Sequence, residues 1–218
     1  MRTILLLTAL AGACSPAELA PPVAEAGADL YGFVGQPIPL DGSQSTGASF
    51  RWDTGDGEIV DGVLVGHGGQ GYLSSVEDYD NFELVVEARI SDTGGGRGNS
   101  GVYFRCASHT DKTQEFPIGY EAQLDHGDGN NPTGSIYNLG SEGAKAPRFA
   151  DLKDDEWVTM RIRVVGDHVQ TWVNDKPAAD CKLPEKDRLM TGSVLLQMHH
   201  KTGKVEFRKV EIRKLKVR

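Results

Sequence analysis

From Leu30 onward the chain alternates short apolar runs with clusters of Gly, Asn, Asp and Pro. Residues 81–90 set the pattern. Phe82, Leu84, Val86, Ala88 and Ile90 share one side, and Glu83, Val85, Glu87 and Arg89 share the other. A period of two is that of a strand with one buried face. The same alternation recurs at 101–106, where Val102, Phe104 and Cys106 alternate with Tyr103 and Arg105. It recurs at 119–125, where Tyr120, Ala122 and Leu124 oppose Glu121, Gln123 and Asp125. At 193–199, Val194, Leu196 and Met198 oppose Leu195, Gln197 and His199. Residues 156–165 and 168–173 predict a hairpin around Gly166-Asp167, and Asn174-Asp175 predicts a second turn. Val205 to Leu215 predicts a closing strand with an irregularity near Arg208-Lys209, and 135–139 a short one. A further apolar run at 60–65 is interrupted by a turn at Asp61-Gly62, while 91–100 and 126–133 read as loops.

No segment carries a sustained 3.6-residue apolar period with caps. About ten antiparallel strands, each with one apolar face, predict an all-β fold: a two-sheet jelly-roll sandwich. One such domain spans 30–218 of the 218 residues.

The first residues are different in kind. Arg2 precedes the apolar run Ile4 to Leu10, and the small residues Ala11-Gly12-Ala13 lead to Cys14. That is a signal-peptide pattern, and its apolar run is short of the roughly 20 residues a membrane span needs. The cysteine after small residues is similar to a bacterial lipoprotein signal, although Ala11 stands where Leu is usual. Residues 1–14 are therefore expected to be a leader, with a lipid anchor on Cys14 or ordinary secretion as the two outcomes. Residues 15–29, rich in Ala, Pro and Glu, read as a flexible spacer. The expected location is extracytoplasmic: periplasmic, membrane-anchored or secreted. There, Cys106 and Cys181 either form a bridge or stay as separate buried thiols.

A formal net charge of -8 argues against a nucleic-acid partner. The polar strand faces point elsewhere. If the strands at 101–106, 119–125 and 193–199 are neighbours, then Tyr103, Arg105, Glu121, Gln123, Gln197 and His199 line one surface. Aromatic, guanidinium, carboxylate, amide and imidazole groups together suit a carbohydrate, which needs fixed hydrogen-bonding groups beside an apolar face. His67, in Gly66-His67-Gly68-Gly69, is placed on a loop beside that site. No His-x-Glu-x-x-His or Cys-x-x-Cys spacing marks a metal centre, and Gly94-Gly95-Gly96-Arg97-Gly98 lacks the strand-to-helix setting of a nucleotide loop. A divalent metal held by scattered His, Asp and Glu stays open.

Several stretches carry a family resemblance. They are Asp61-Gly-Val-Leu-Val-Gly66, Tyr79-Asp-Asn-Phe-Glu-Leu84, Asn99-Ser-Gly-Val-Tyr-Phe-Arg105, Gly119-Tyr-Glu-Ala-Gln-Leu-Asp125, Thr133-Gly-Ser-Ile-Tyr137, Gly166-Asp-His-Val-Gln-Thr-Trp-Val-Asn174 and Val205-Glu-Phe-Arg-Lys-Val-Glu-Ile-Arg213. In this order the chain resembles the 3-keto-disaccharide hydrolase domain of bacterial exported proteins. The resemblance implies a concanavalin A-like jelly roll acting on glycosides oxidised at C3, with its site on one sheet. It also implies catalytic roles for Arg105, Glu121 and His199. Tyr103, Gln123, Asp125, Tyr137, Gln197 and His67 are the expected sugar contacts. The family's Leu-Gln-Asp-His-Gly stretch reads Leu196-Gln-Met-His-His200 here, so Met198 stands in place of a carboxylate.

The chemistry implied is removal of the C2 proton, elimination of the C1 substituent and addition of water. His199 suits the base at its ordinary pKa, and Glu121 only if burial or a neighbour raises it. Arg105 would bind an oxyanion or hydroxyl, and a bound metal would share the enolate charge. A sugar-binding module without catalysis would carry the same face.

Overall fold

The structure is a computed structural model describing residues 2–5, 50–52, 56–60, 63–67, 69–75, 77–107 and 116–216; for 2–5, 50–52 and 56–59 it describes the backbone alone. Thirteen strands are found among them: β1 (Arg2–Leu5), β2 (Phe50–Trp52), β3 (Asp56–Val60), β4 (Val63–His67), β5 (Gly71–Ser75), β6 (Phe82–Asp92), β7 (Ser100–Cys106), β8 (Tyr120–Leu124), β9 (Val158–Val165), β10 (His168–Val173), β11 (Lys176–Lys182), β12 (Ser193–Met198) and β13 (Gly203–Lys214). No helix occurs among the described residues.

The strands form two antiparallel sheets. One has eight strands in the order β11-β10-β9-β6-β13-β4-β3, with β1 added on β13; the other has five, β2-β5-β12-β7-β8. The expected jelly-roll sandwich is what the chain builds. Its centre is the alternation read at 81–90, where Phe82, Leu84, Val86, Ala88 and Ile90 are all fully buried. They meet Val102, Phe104, Ala122, Leu124, Val194 and Leu196 from the smaller sheet in one core. Full burial of each larger aliphatic or aromatic side chain contributes about 1.5–3 kcal/mol.

The hairpin β9–β10 turns at the expected place, with Gly166 at φ 58. The irregularity foreseen near Arg208-Lys209 is a register shift between Phe207 and Lys209. Residues 135–139 do not form a strand; Ile136 makes an isolated bridge to Ala122. Five strands, β1, β2, β3, β5 and β11, have no counterpart in the sequence pattern. β11 is an edge strand with Pro177 near its start, a residue tolerated at an edge because it has no amide to donate inward.

Cys106 and Cys181 are free and buried, one in each sheet, which corrects the option of a bridge. Cys14 and the spacer at 15–29 lie outside the described residues. Of the expected leader, Arg2–Leu5 are described and pair with Val210 to Arg213 of β13.

Candidate functional site

The strands assumed to be neighbours are neighbours: β12, β7 and β8 are consecutive in the five-stranded sheet. Register then fixes who stands beside whom. Ser74, Leu195, Tyr103 and Glu121 form one row across β5, β12, β7 and β8. One step along, Tyr72 stands opposite Gln197 and Gly101 opposite Gln123. Their inner-facing neighbours Val102, Ala122 and Leu196 are core, so these rows lie on the sheet's other face.

That face is not simply solvated. Tyr72, Tyr103, Cys106 and Leu195 form a second buried cluster, separate from the core between the sheets. The rings of Tyr72 and Tyr103 meet edge to face at 5.6 Å. Glu121 sits among them, 6% exposed. Burial pushes its carboxyl up to about 7, against a weaker opposing effect of a hydrogen bond from Tyr103. Tyr103 is raised well above the ordinary phenol range, first by its own burial and then by the Glu121 charge, so it stays a donor. Tyr72 is pushed up to about 12 mainly by burial and also stays protonated.

Gly101 is what makes room for this carboxylate. A Cβ at Gly101 would collide with Glu121 Oε1 and lie 2.8 Å from its Cγ. The Glu121 side chain therefore leans over position 101 toward the row of Gln123 and Gln197. Gln197 donates through Nε2 to the Tyr72 hydroxyl at 3.4 Å, while its Oε1 is buried with no partner. A buried amide oxygen left unpaired is costly in a finished core and useful in a site that hydroxyl groups enter.

Other expected site residues fall elsewhere. Arg105 is not on this face. It takes φ 51, and the register against β12 slips between Ser193 and Leu195. A bulge of this kind inverts the alternation: Arg105 turns away, and Cys106 joins the Tyr103 face instead. The fully buried guanidinium donates to the Asp80 carbonyl through Nη2 (2.7 Å) and Nε (3.1 Å), and to the Leu189 carbonyl through Nη1 (3.3 Å). It is a clamp between loops. Arg105→Ala is expected to cost about 2 kcal/mol by leaving those carbonyls unpaired, lowering the thermal midpoint by several degrees in a melting experiment.

His67 is also misplaced by the sequence reading. It ends β4 in the eight-stranded sheet, opposite Lys204, rather than occupying a loop by the site. Asp125 is fully buried and committed: its carboxylate accepts from the Gly127 amide (3.0 Å), the Asp128 amide (2.9 Å) and Arg97 Nε (2.9 Å). His199 follows the end of β12 and meets His200 Nδ1 to Nδ1 at 3.3 Å. Burial first, then His200, hold it below its usual value, with Asp125 pulling the other way. Tyr137 is 42% exposed, and its amide donates to the Glu121 carbonyl at 2.8 Å. Among the described residues no three His, Cys, Asp or Glu side chains converge as a metal would require, so no step is assigned to one.

The family described as the 3-keto-alpha-glucoside-1,2-lyase-like domain matches residues 38–213. The chain belongs to this family. Among solved structures, this lyase-like domain is similar to a protein of Parabacteroides distasonis ATCC 8503, provisionally named a glycosyl hydrolase. The identity is 23% and the TM-score 0.59, covering 73% of this chain and 90% of that one. It is also similar to the carbohydrate-binding module CBM66 of Bacillus subtilis, with 16% identity, a TM-score of 0.57, and coverage of 76% and 95%. At these identities the likeness is one of fold. No match is found among the curated proteins.

Met198 stands where the resemblance leads to the expectation of a carboxylate. Met198 is 1% exposed and belongs to the core, against Gly66 and Val205. It does not face the Glu121 cluster, so this departure takes nothing from that surface. The informative signals the sequence reading passed over were Gly101, a glycine within a strand, and Tyr72. A glycine inside a strand marks a close approach, and here the approaching group is the carboxylate.

Proposed function

We propose that the domain cleaves glycosides whose sugar is oxidised at C3, with Glu121 as the base that takes the C2 proton. One observation carries the reading: a single carboxylate, held at about 7 by burial, resting over a glycine and beside two protonated tyrosines. A base poised near neutrality is efficient in proton abstraction. Of the two bases the sequence offers, burial favours Glu121 and disfavours His199, because it raises one and lowers the other.

The C3 carbonyl acidifies the C2 proton, and Glu121 removes it. The electron pair left at C2 delocalises onto the C3 oxygen, where a protonated tyrosine such as Tyr72 is the donor at hand. Collapse of that enolate forms the C1–C2 double bond and breaks the C1–O bond. The departing oxygen takes a proton, which protonated Glu121 can return. Water then adds across the double bond, its oxygen to C1 and a proton to C2, so the net reaction is hydrolysis.

The neighbouring groups suit the sugar itself. Gln197 Oε1 can accept a hydroxyl proton, and the tyrosine rings with Leu195 give a C–H face its apolar contact. A conventional glycosidase uses two carboxylates flanking the bond. Asp125, the other carboxylate of β8's outer alternation, is tied to Arg97 and two loop amides instead. The leader reading of the N-terminus supports placing this reaction outside the cytoplasm.

The test is a matched pair of substrates, methyl 3-keto-glucoside and methyl glucoside, incubated with purified protein. Release of methanol from the keto sugar alone is expected, because the parent sugar has no carbonyl to acidify its C2 proton. Equal cleavage of both would overturn elimination. Binding without cleavage would turn the reading to that of a sugar-binding module.

A further inference from the structure

Beyond the outer edge of β8, a cleft of about 610 Å³ is lined in part by Asn131, Ile136, Tyr137, Asn138 and Leu139. Tyr137 is the lining residue that connects it to Glu121. The bridge between Ala122 and Ile136 places Tyr137 opposite Glu121, as the bond from the Tyr137 amide to the Glu121 carbonyl confirms. Both bridge partners are core, so Tyr137 continues the row of Leu195, Tyr103 and Glu121 on the same face. Directly opposed residues have Cβ atoms about 5 Å apart, close to the breadth of one sugar ring.

The row changes character at this point. Tyr103 and Glu121 are each 6% exposed, whereas Tyr137 is 42% exposed. The other direction is closed: past Gln123, the Arg97–Asp125 pair and the loop amides shut the end of β8. Tyr137 is therefore the member of this row that is both exposed and part of the cleft's lining. The cleft's amides are held in place before any ligand arrives. Asn138, at φ 49, donates its backbone amide to Asn131 Oδ1 at 3.2 Å, and Asn131 Nδ2 lies 3.5 Å from Asn138 Oδ1. An exposed aromatic face beside ordered amides is the chemistry that grips a pyranose ring.

We infer that this cleft is the leaving-group subsite, that it takes a pyranose presented by its C–H face to Tyr137, and that Tyr137 determines specificity for the leaving group. The inference rests on the reaction proposed above. The experiment compares 3-keto-cellobiose with methyl 3-keto-glucoside in the wild type, Tyr137→Ala and Tyr137→Phe. Loss of the ring is expected to lower kcat/KM for the disaccharide about tenfold. The loss on the methyl glycoside should be several-fold smaller than that on the disaccharide, and Tyr137→Phe should restore the disaccharide rate. Equal loss on both substrates, or none on either, overturns the assignment. Should the wild type cleave neither keto sugar, the proposed reaction fails by itself, and calorimetric titration with cellobiose decides about the cleft. Binding weakened by Tyr137→Ala and kept by Tyr137→Phe upholds a sugar subsite; no binding, or binding indifferent to both changes, removes it.

Discussion

Glu121→Gln is expected to lower kcat by about 10²- to 10⁴-fold, the usual contribution of a general base, and at the same time to stabilise the fold above neutral pH. The two effects share one cause. The folded protein holds the Glu121 proton up to about pH 7, whereas the ordinary carboxyl releases it near 4.5. Between those values the folded state binds more protons than the unfolded one, so stability falls as pH rises through the window. Below about pH 4.5 both states are protonated and Glu121 makes no difference of this kind. Above about pH 7 the full penalty applies, on the order of 3 kcal/mol for this shift. The amide cannot ionise and keeps an oxygen for the Tyr103 hydroxyl. Melting curves should therefore show the variant more stable than wild type at pH 8 and equal to it near pH 4. In the wild type, kcat/KM should rise with pH through about 7 as the carboxylate forms. A variant that is inactive and also less stable at pH 8 would place Glu121 in the scaffold rather than in the chemistry.

Gly101→Ala is the second large effect, and it removes no functional group. The added methyl collides with Glu121 Oε1 and meets Cδ at 2.7 Å and Cγ at 2.8 Å. The carboxylate end could swing aside, but the Cγ contact forces the stem to move as well. Displacement of a reacting group by about 1 Å can cost on the order of 10²-fold, and a loss of that size in kcat is expected. Because the change acts through Glu121, it should nearly vanish in the Glu121→Gln background, where the base is already gone. A double-mutant comparison of kcat checks this. If the two losses multiply instead, Gly101 serves the sheet and not the carboxylate.

The sandwich was legible because alternation is enforced by burial. At 82–90 every second side chain is fully enclosed, and a shift of one residue would expose the entire set. The same logic placed Tyr103, Glu121, Gln123 and Gln197 on one face. It failed at Arg105, where one positive φ inverts the alternation and no residue type signals it in advance. His67 misled because its glycine-rich surroundings resemble a loop while the neighbouring β13 recruits it into a strand. The identity of the base was not readable from residue types. His199 has the better intrinsic pKa, and only the tertiary environment, which buries Glu121 and half-buries His199, reverses the order. β11 stayed hidden because an edge strand needs only one flank of pairing and tolerates Pro177 and charged residues.

The two unbridged thiols have a use beyond the question of a disulfide. Cys106 lies in the smaller sheet and Cys181 on the outermost strand of the larger one, at 1% and 4% exposure. Burial raises both, Cys106 with help from the Glu121 charge and Cys181 up to about 11 with help from Asp180, so neither reacts readily while covered. Alkylation at each, followed peptide by peptide, therefore reports how often its own sheet opens. Equal rates would mean that the sandwich parts as one cooperative unit. Faster labelling of Cys181 would mean that the β11 edge breathes on its own while the floor beneath Glu121 stays shut.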